Sequence, residues 1–208
     1  MSPRRVTASG SVLHLSPRGA VLRPAPAVSN ARLAMVAFLA FETMFFAALV
    51  GTFLVFRLSS PAWPPADLPS LPIALTWANT GVLALSAWAM ARALRALRSG
   101  DRRALERRLG AAAVLGTLFL AVQGSEWIRL VHHGLTLSAG PYGATFYTLI
   151  GCHGLHVLGA VVWLLVLMVI AQRGRFARSL RVPLELCGMY WYFVVALWAG
   201  LFPLVYLL

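Results

Sequence analysis

One carboxylate lies inside an apolar run, where no water is available to solvate a charge. Glu42 has apolar neighbours on both sides in FLAFETMFFAALVGTFLVF, residues 38–56. A charged side chain at the centre of a bilayer costs roughly 2.5–3.5 kcal/mol on insertion scales. The candidate roles of Glu42 are proton transfer, binding of a lipid headgroup and pairing with a buried cation. The alternative is a protonated acid that hydrogen-bonds to a neighbouring helix for packing.

Two histidines, His153 and His156, lie three residues apart in GCHGLHV. On a helix that enters the membrane near Ala144 they reach depths of about 13 and 18 Å, so they lie in the same layer as Glu42. A hydrogen bond between a histidine and Glu42 is therefore geometrically possible. Zinc and copper sites need three or four ligands, and the two cysteines are not spaced to complete such a set. We therefore expect histidines that pack or hydrogen-bond, and no metal bound by this chain.

A polar series of three residues follows one face near the end of a later apolar segment. Gln123, Glu126 and Arg129 are spaced by three in VQGSEWIRLVHHG. Residues at this spacing are neighbours on a helix. Glu126 and Arg129 could form an ion pair within the chain, or the series could lie at a contact with another subunit.

An aromatic run, YWYF, begins at Tyr190. Tyrosine and tryptophan are enriched at membrane–water interfaces, where their rings lie at the level of the headgroups. The run is therefore either an interfacial belt or a flat surface that packs against another subunit. The candidate contact residues in it are Tyr190, Trp191 and Tyr192.

The elements that position these residues are membrane-spanning helices. The chain has 208 residues, of which 60% are hydrophobic and 12% charged, and its mean hydropathy is +0.77. A helix needs about 20 apolar residues to cross a hydrocarbon core about 30 Å thick. Five segments meet this requirement and predict an all-α, polytopic bundle of five transmembrane helices: about 33–56, 73–91, 109–131, 144–171 and 184–207.

The charge distribution predicts the orientation of the bundle. The chain has 18 basic residues, all arginine, and a formal net charge of +12. From the N-terminal tail through the four loops the arginine counts are 5, 1, 7, 1 and 4. Basic loops stay in the cytoplasm, so residues 1–30 are predicted to be a basic cytoplasmic tail and the C-terminus to be periplasmic. Anionic lipid headgroups account for the arginines, and no nucleic-acid partner is expected.

Small residues at four-residue spacing predict places where helices approach closely. They occur in the first and third predicted spans, at Ala47 and Gly51 and at Ala112 and Gly116, and Gly151 and Gly154, three residues apart, offer a similar thin face in the fourth span. The second loop has helix-forming residues on both sides of SGD, so we expect two helices that extend beyond the membrane, with a tight turn at Ser99–Gly100.

Four motifs together resemble a known family. FETMFF, QGSEW, GPYGATFYTLIGCHGLHVLGA and YWYFVVALW occur in the order and spacing of subunit III of haem-copper terminal oxidases. The chain is similar to the five-helix bacterial form of that subunit over residues 31–207. Two positions depart from the pattern of the last helix, since Tyr192 stands where the family has histidine and Val195 where it has aspartate.

The resemblance implies an accessory subunit of a cytochrome c oxidase in the bacterial inner membrane. Such a subunit binds no cofactor, while haem and copper lie in partner subunits. It packs on the catalytic subunit I beside other oxidase subunits, binds phospholipid, and supports proton uptake and stability of the complex. Glu42, Glu126, His153 and His156 match positions in the family's motifs. The alternatives are an accessory subunit of a quinol oxidase or nitric oxide reductase, and a small proton-coupled transporter, which the absence of an inverted repeat disfavours.

Overall fold

Five long α-helices make up most of the part of the chain that the structure describes. The computed structural model describes residues 30–65, 71–172 and 180–207, and within them it contains no strand. The helices are α1 Asn30–Ser59, α2 Ile73–Ser99, α3 Arg102–His132, α4 Gly140–Gln172 and α5 Arg181–Phe202, and a π-helical turn, Pro203–Leu207, follows α5. Each of the five is long and apolar enough to cross a membrane. The predicted all-α bundle of five transmembrane helices is confirmed.

Parts of the sequence interpretation lie outside the described residues. Of the predicted tail, residues 1–30, only Asn30 is described, and it begins α1. The arginines of the fourth loop before Leu180 are also outside, as is the centre of the proline-rich first loop, residues 66–70.

The predicted turn between α2 and α3 is present, and its residues explain why one helix stops and the next starts. Gly100 follows the end of α2 with a φ of 74°, in the left-handed region that glycine adopts without steric cost. The carboxylate of Asp101 then accepts a hydrogen bond of 2.9 Å from the backbone N–H of Ala104, which caps the N-terminus of α3. Because α3 begins at Arg102, the helix extends beyond the apolar stretch that starts near residue 109.

The core lies among α2, α3, α4 and α5, while α1 lies at the edge of the bundle. Fully buried residues such as Met90, Leu109, Val157 and Trp191 come from each of the four inner helices. In α1 the buried residues are Phe46 and Phe53, and most of its other apolar side chains are exposed. Glu42 therefore lies on a peripheral helix that contacts α4 and α5 along one narrow face.

Two of the small residues mark close helix approaches. A Cβ at Gly116 would overlap the ring of Trp191, and a Cβ at Gly154 would lie 2.7 Å from Cη2 of Trp127. At Gly51 and Gly151, a Cβ would meet no atom within 4 Å. The prediction of a close approach is therefore right for the first two glycines and wrong for the other two, which face open space.

Candidate functional site: the Glu42–His156 pair

A carboxyl group and an imidazole meet between α1 and α4. His156 Nε2 lies 2.9 Å from Glu42 Oε2, across 114 residues of sequence. The other ring nitrogen, Nδ1, lies 2.7 Å from the backbone carbonyl oxygen of Cys152, one helical turn earlier. The bond to Glu42 is the side-chain hydrogen bond that ties the peripheral helix to the core near its middle.

The geometry determines which atoms of the pair can carry a proton. A carbonyl oxygen can only accept, so Nδ1 of His156 carries a hydrogen and donates it to Cys152. If the ring is neutral, Nε2 has no hydrogen, and the protonated acid of Glu42 donates to it. If the ring is charged, Nε2 donates to the carboxylate of Glu42. In both cases a single proton lies between the two side chains, and its transfer converts a neutral pair into an ion pair.

The surroundings of the pair are aromatic, and both side chains are largely shielded. The ring of Phe46 meets that of His156 edge-on at 5.0 Å, and the ring of Phe45 stacks on it at 6.3 Å. The side chains of His156 and Glu42 are 21% and 13% exposed. Hydrogen bonds are electrostatically stronger in such a low-dielectric environment than in water. The pair therefore lies near the edge of the bundle rather than at its centre.

The second histidine has a different environment. His153 is 1% exposed, and its ring stacks on that of Trp198 with 5.2 Å between centroids. Within the described residues neither of its ring nitrogens has a hydrogen-bond partner. Of the two histidines in the sequence motif, the structure thus joins only His156 to Glu42.

Two members of the polar series on α3, Gln123 and Glu126, face the interior of the chain. Glu126, with a side chain 6% exposed, forms an ion pair with Arg129, as one of the two sequence alternatives expects. Gln123 is 4% exposed and donates a hydrogen bond of 3.1 Å to the hydroxyl oxygen of Tyr206. Gln123 and Glu126 are thus buried within this chain, whereas Arg129 is exposed, and a role of the series at a subunit contact stays a prediction. Sequence reasoning missed Tyr206, although a tyrosine near the end of an apolar span was a usable signal.

The aromatic run does not form one flat surface. Trp191 is fully buried, and its indole N–H donates a hydrogen bond of 3.2 Å to the hydroxyl of Ser86 on α2. Tyr190 is 9% exposed and packs near Phe38 of α1. Successive residues on a helix point in different directions, so Trp191 is turned into the core of this chain and is not presented on its surface for a subunit contact. Tyr192, which is 38% exposed, keeps that possibility.

Another polar contact that sequence reasoning missed joins the beginnings of α1 and α5. Glu185 forms an ion pair with Arg32 and a second one with Arg181, whose Nε lies 3.4 Å from Oε1. Arg32 and Arg181 flank apolar spans, and only the tertiary structure shows that one carboxylate serves both.

Comparison with known proteins identifies the family. The family model for cytochrome c oxidase subunit III matches residues 24–208, a range that includes all five helices. The chain belongs to the cytochrome c oxidase subunit III family. The resemblance found in the four sequence motifs is thereby confirmed. Subunit III is an accessory subunit of haem-copper oxidase, so this chain is a multi-pass membrane protein of a complex with other oxidase subunits.

Subunit III proteins from bacteria and animals are similar to the chain over most of its length. Cytochrome c oxidase subunit 3 of Synechocystis sp. is 37% identical over 175 residues, which cover 84% of this chain and 74% of the relative. A probable cytochrome c oxidase subunit 3 of Nocardia farcinica is 33% identical, over 82% of this chain and 84% of the relative. Cytochrome c oxidase subunit 3 of Bos taurus is 32% identical, over 87% of this chain and 71% of the relative.

The side chains present do not fit a haem or metal site. No group of three or more His, Cys, Asp or Glu side chains suited to a metal ion occurs in residues 30–65, 71–172 and 180–207. Of the two deep histidines in subunit III, His156 uses both ring nitrogens in contacts with Glu42 and Cys152. His153 lies against the ring of Trp198.

Proposed function

We propose that this chain packs on the catalytic subunit I of a cytochrome c oxidase in the bacterial inner membrane and supports proton uptake by the complex. Haem and copper lie in the partner subunits, and this chain carries no electrons. The observation that supports the proposal is the contact between Glu42 and His156. It provides a group that can hold and release one proton within the membrane-spanning part of an accessory subunit.

The pair is suited to this role because of its chemistry and position. An imidazole can accept a proton at one ring nitrogen while it donates a hydrogen bond from the other. Proton transfer between Glu42 and His156 needs no large movement, since their heavy atoms are already at hydrogen-bond distance. The pair lies on the edge of the bundle, where another subunit or a lipid can reach it. A fully buried pair would have no such access.

The proposed orientation places the N-terminus in the cytoplasm and the C-terminus in the periplasm. At one end of the bundle, Arg102 at the beginning of α3 donates a hydrogen bond of 3.3 Å to the carbonyl of Ala171 near the end of α4. The ion pairs of Glu185 with Arg32 and Arg181 tie α1 to α5 at the beginnings of these helices. This arginine-rich end is the cytoplasmic one under the positive-inside rule.

Phospholipid is the proposed ligand of the exposed face of α1. Phe41 and Met44 flank Glu42 in sequence and are 69% and 73% exposed. An apolar face of this kind, next to a shielded carboxyl group, suits acyl chains. Binding of phospholipid here would also limit access of water to the pair.

Purification through a tag on this chain tests the proposed partner. From gently solubilised native membranes, we expect subunit I to copurify with the chain, as identified by mass spectrometry. The preparation should show haem in a reduced-minus-oxidised spectrum and should consume oxygen, because the redox centres belong to the partners. A haem-free preparation from intact complexes would contradict the proposal and favour the transporter alternative.

The variant Glu42→Gln tests the proton role. Glutamine has the shape of the protonated acid and can donate a hydrogen bond to His156, but it cannot release a proton. We expect normal assembly and haem spectra, while proton uptake per electron or the number of turnovers before inactivation falls to about half or less. The measurement is made on the complex in vesicles with a pH indicator.

Glu106→Gln is the matched control, since it is the same chemical change at a carboxylate paired with Arg102 outside the apolar stretch. We expect it to behave as wild type. Unchanged proton uptake, turnover and lipid content in Glu42→Gln would leave the pair with a packing role only.

A further inference from the structure

A second site of interest is a cavity on the other side of α4. It has a volume of about 240 Å³ and lies between α3 and α4. Its walls are mostly apolar and include three large aromatic side chains, those of Phe119, Trp127 and Trp198. At its edge are Leu155 and Leu158, which are 67% and 47% exposed. Leu155 lies about 22 Å along α4 from its first residue, so the cavity opens sideways toward the hydrocarbon phase rather than toward water.

The cavity contains a buried side chain with unused hydrogen-bonding capacity. His153 lines it, is 1% exposed, and has no hydrogen-bond partner for either ring nitrogen in the described part of the chain. A neutral imidazole has one donor and one acceptor nitrogen. Leaving both unpaired in a buried place is costly, and buried polar groups in proteins are nearly always satisfied. Each nitrogen is itself covered in this conformation, so a polar atom in the cavity would satisfy one of them after a small rotation of the ring.

Three glycines shape the cavity. At Gly124 and Gly151 an added Cβ would meet no atom within 4 Å, so these positions leave the space open. At Gly154 an added Cβ would lie 2.7 Å from Cη2 of Trp127, so the missing side chain allows that ring to lie close against α4. The sequence thus provides both the empty volume and its aromatic wall.

Water alone does not suit this cavity. The volume would hold several waters at about 30 Å³ each, and each water needs two to four polar partners. Besides His153, the polar side-chain groups of the lining are the amide of Gln123, which already donates to Tyr206, and the indole N–H groups of Trp127 and Trp198, the latter donating to Thr80. The remaining walls are mostly carbon. A suitable occupant therefore has an apolar body and one or two hydrogen-bonding oxygens.

We infer that this cavity binds a flat, uncharged, lipid-soluble ring that carries carbonyl or hydroxyl oxygens, the chemistry of a benzoquinone or benzoquinol. An oxygen of the ring hydrogen-bonds to His153. The ring face lies against the aromatic wall of Trp127 and Trp198, because conjugated rings prefer offset-stacked or edge-on contacts with other rings. The ligand enters from the lipid beside Leu155 and Leu158. This inference concerns binding, and it is independent of the Glu42–His156 pair and of the proposed role in proton uptake.

The test uses the purified oxidase complex in lipid nanodiscs and a photoreactive azido-benzoquinone with a ten-carbon tail. After illumination, mass spectrometry locates the labelled peptides. We expect saturable labelling of the α3 and α4 peptides that line the cavity. Gly151→Leu and, independently, Gly124→Leu should lower this labelling about tenfold, because each new side chain fills the open space.

Gly159→Leu is the matched control, since Gly159 is exposed on the same helix, has open space around it and is not part of the cavity lining. It should leave labelling unchanged. Labelling of α3 and α4 that persists in both Gly151→Leu and Gly124→Leu would overturn the inference. So would labelling of the same peptides by a photoreactive phospholipid but not by the quinone.

A further variant tests the hydrogen bond itself. His153→Phe keeps a flat ring against Trp198 and removes both nitrogens. We expect labelling by the azido-benzoquinone to fall about tenfold, while labelling by an oxygen-free aryl diazirine stays the same. Equal labelling by the quinone in the variant and the wild type would show that His153 does not recognise the ligand. None of these readouts depends on proton uptake, so their failure would leave the proposed function untouched.

Discussion

Gly116→Leu is expected to remove most of this chain from the assembled complex. A side chain at this position would overlap the ring of Trp191, which is fully buried and held by its hydrogen bond to Ser86. The ring has no space to retreat into, so α3 and α5 must separate. Overpacking of a tight core costs about 3 kcal/mol at the upper end of its usual range. The measurement is the amount of chain in the complex on a native gel, and the thermal midpoint of what assembles.

Gly51→Leu is the control for this effect. Gly51 also belongs to a small-residue pair in the sequence, but it is exposed and has open space around it, so we expect normal assembly. The double variant Gly116→Leu with Trp191→Ala should recover part of the lost assembly, because contacting residues are not additive. Normal assembly of Gly116→Leu alone would mean that the ring of Trp191 can move to make room for a side chain between α3 and α5.

The second large effect is expected from separating Glu42 and His156. Glu42→Leu leaves Nε2 of His156 without its partner in an apolar environment, and His156→Leu leaves the carboxyl group unpaired. An unsatisfied buried polar group costs about 1–3 kcal/mol, and for these partly exposed side chains we expect the lower end of that range. Each single variant should therefore destabilise the contact between α1 and α4. The double variant should cost less than the sum, with a coupling of about 1 kcal/mol. Titration with a denaturing detergent measures the free energies of unfolding.

His153 provides the comparison for this cycle. Its ring stacks on Trp198 and not on α1, so we expect Glu42→Leu and His153→Leu to be additive. If the cycle of Glu42 with His156 were additive as well, the hydrogen bond between them would contribute nothing to stability. In that case, each side chain would find an equally favourable hydrogen-bond partner, such as a lipid headgroup, when the other is removed.

The sequence by itself determined the number of helices, their apolar character and the family. These properties are local, because crossing a hydrocarbon core requires a certain length of apolar residues whatever their neighbours are. The turn at Ser99–Gly100 is local for the same reason, since glycine and a capping aspartate act within a few residues. The sequence also placed Glu42 and both histidines at one depth, because helix geometry converts residue number directly into distance along the axis.

Only the tertiary structure decided how each helix is rotated about its own axis. It brought His156 rather than His153 to Glu42, turned Trp191 inward and Tyr192 outward, and packed Gly116 but not Gly51 against a ring. Hydrophobicity could not predict these choices. In a membrane, the face that meets lipid and the face that meets another helix are equally apolar, so no amphipathic pattern marks the buried side. Close packing and a few polar contacts set the rotation, and both depend on residues far apart in the sequence.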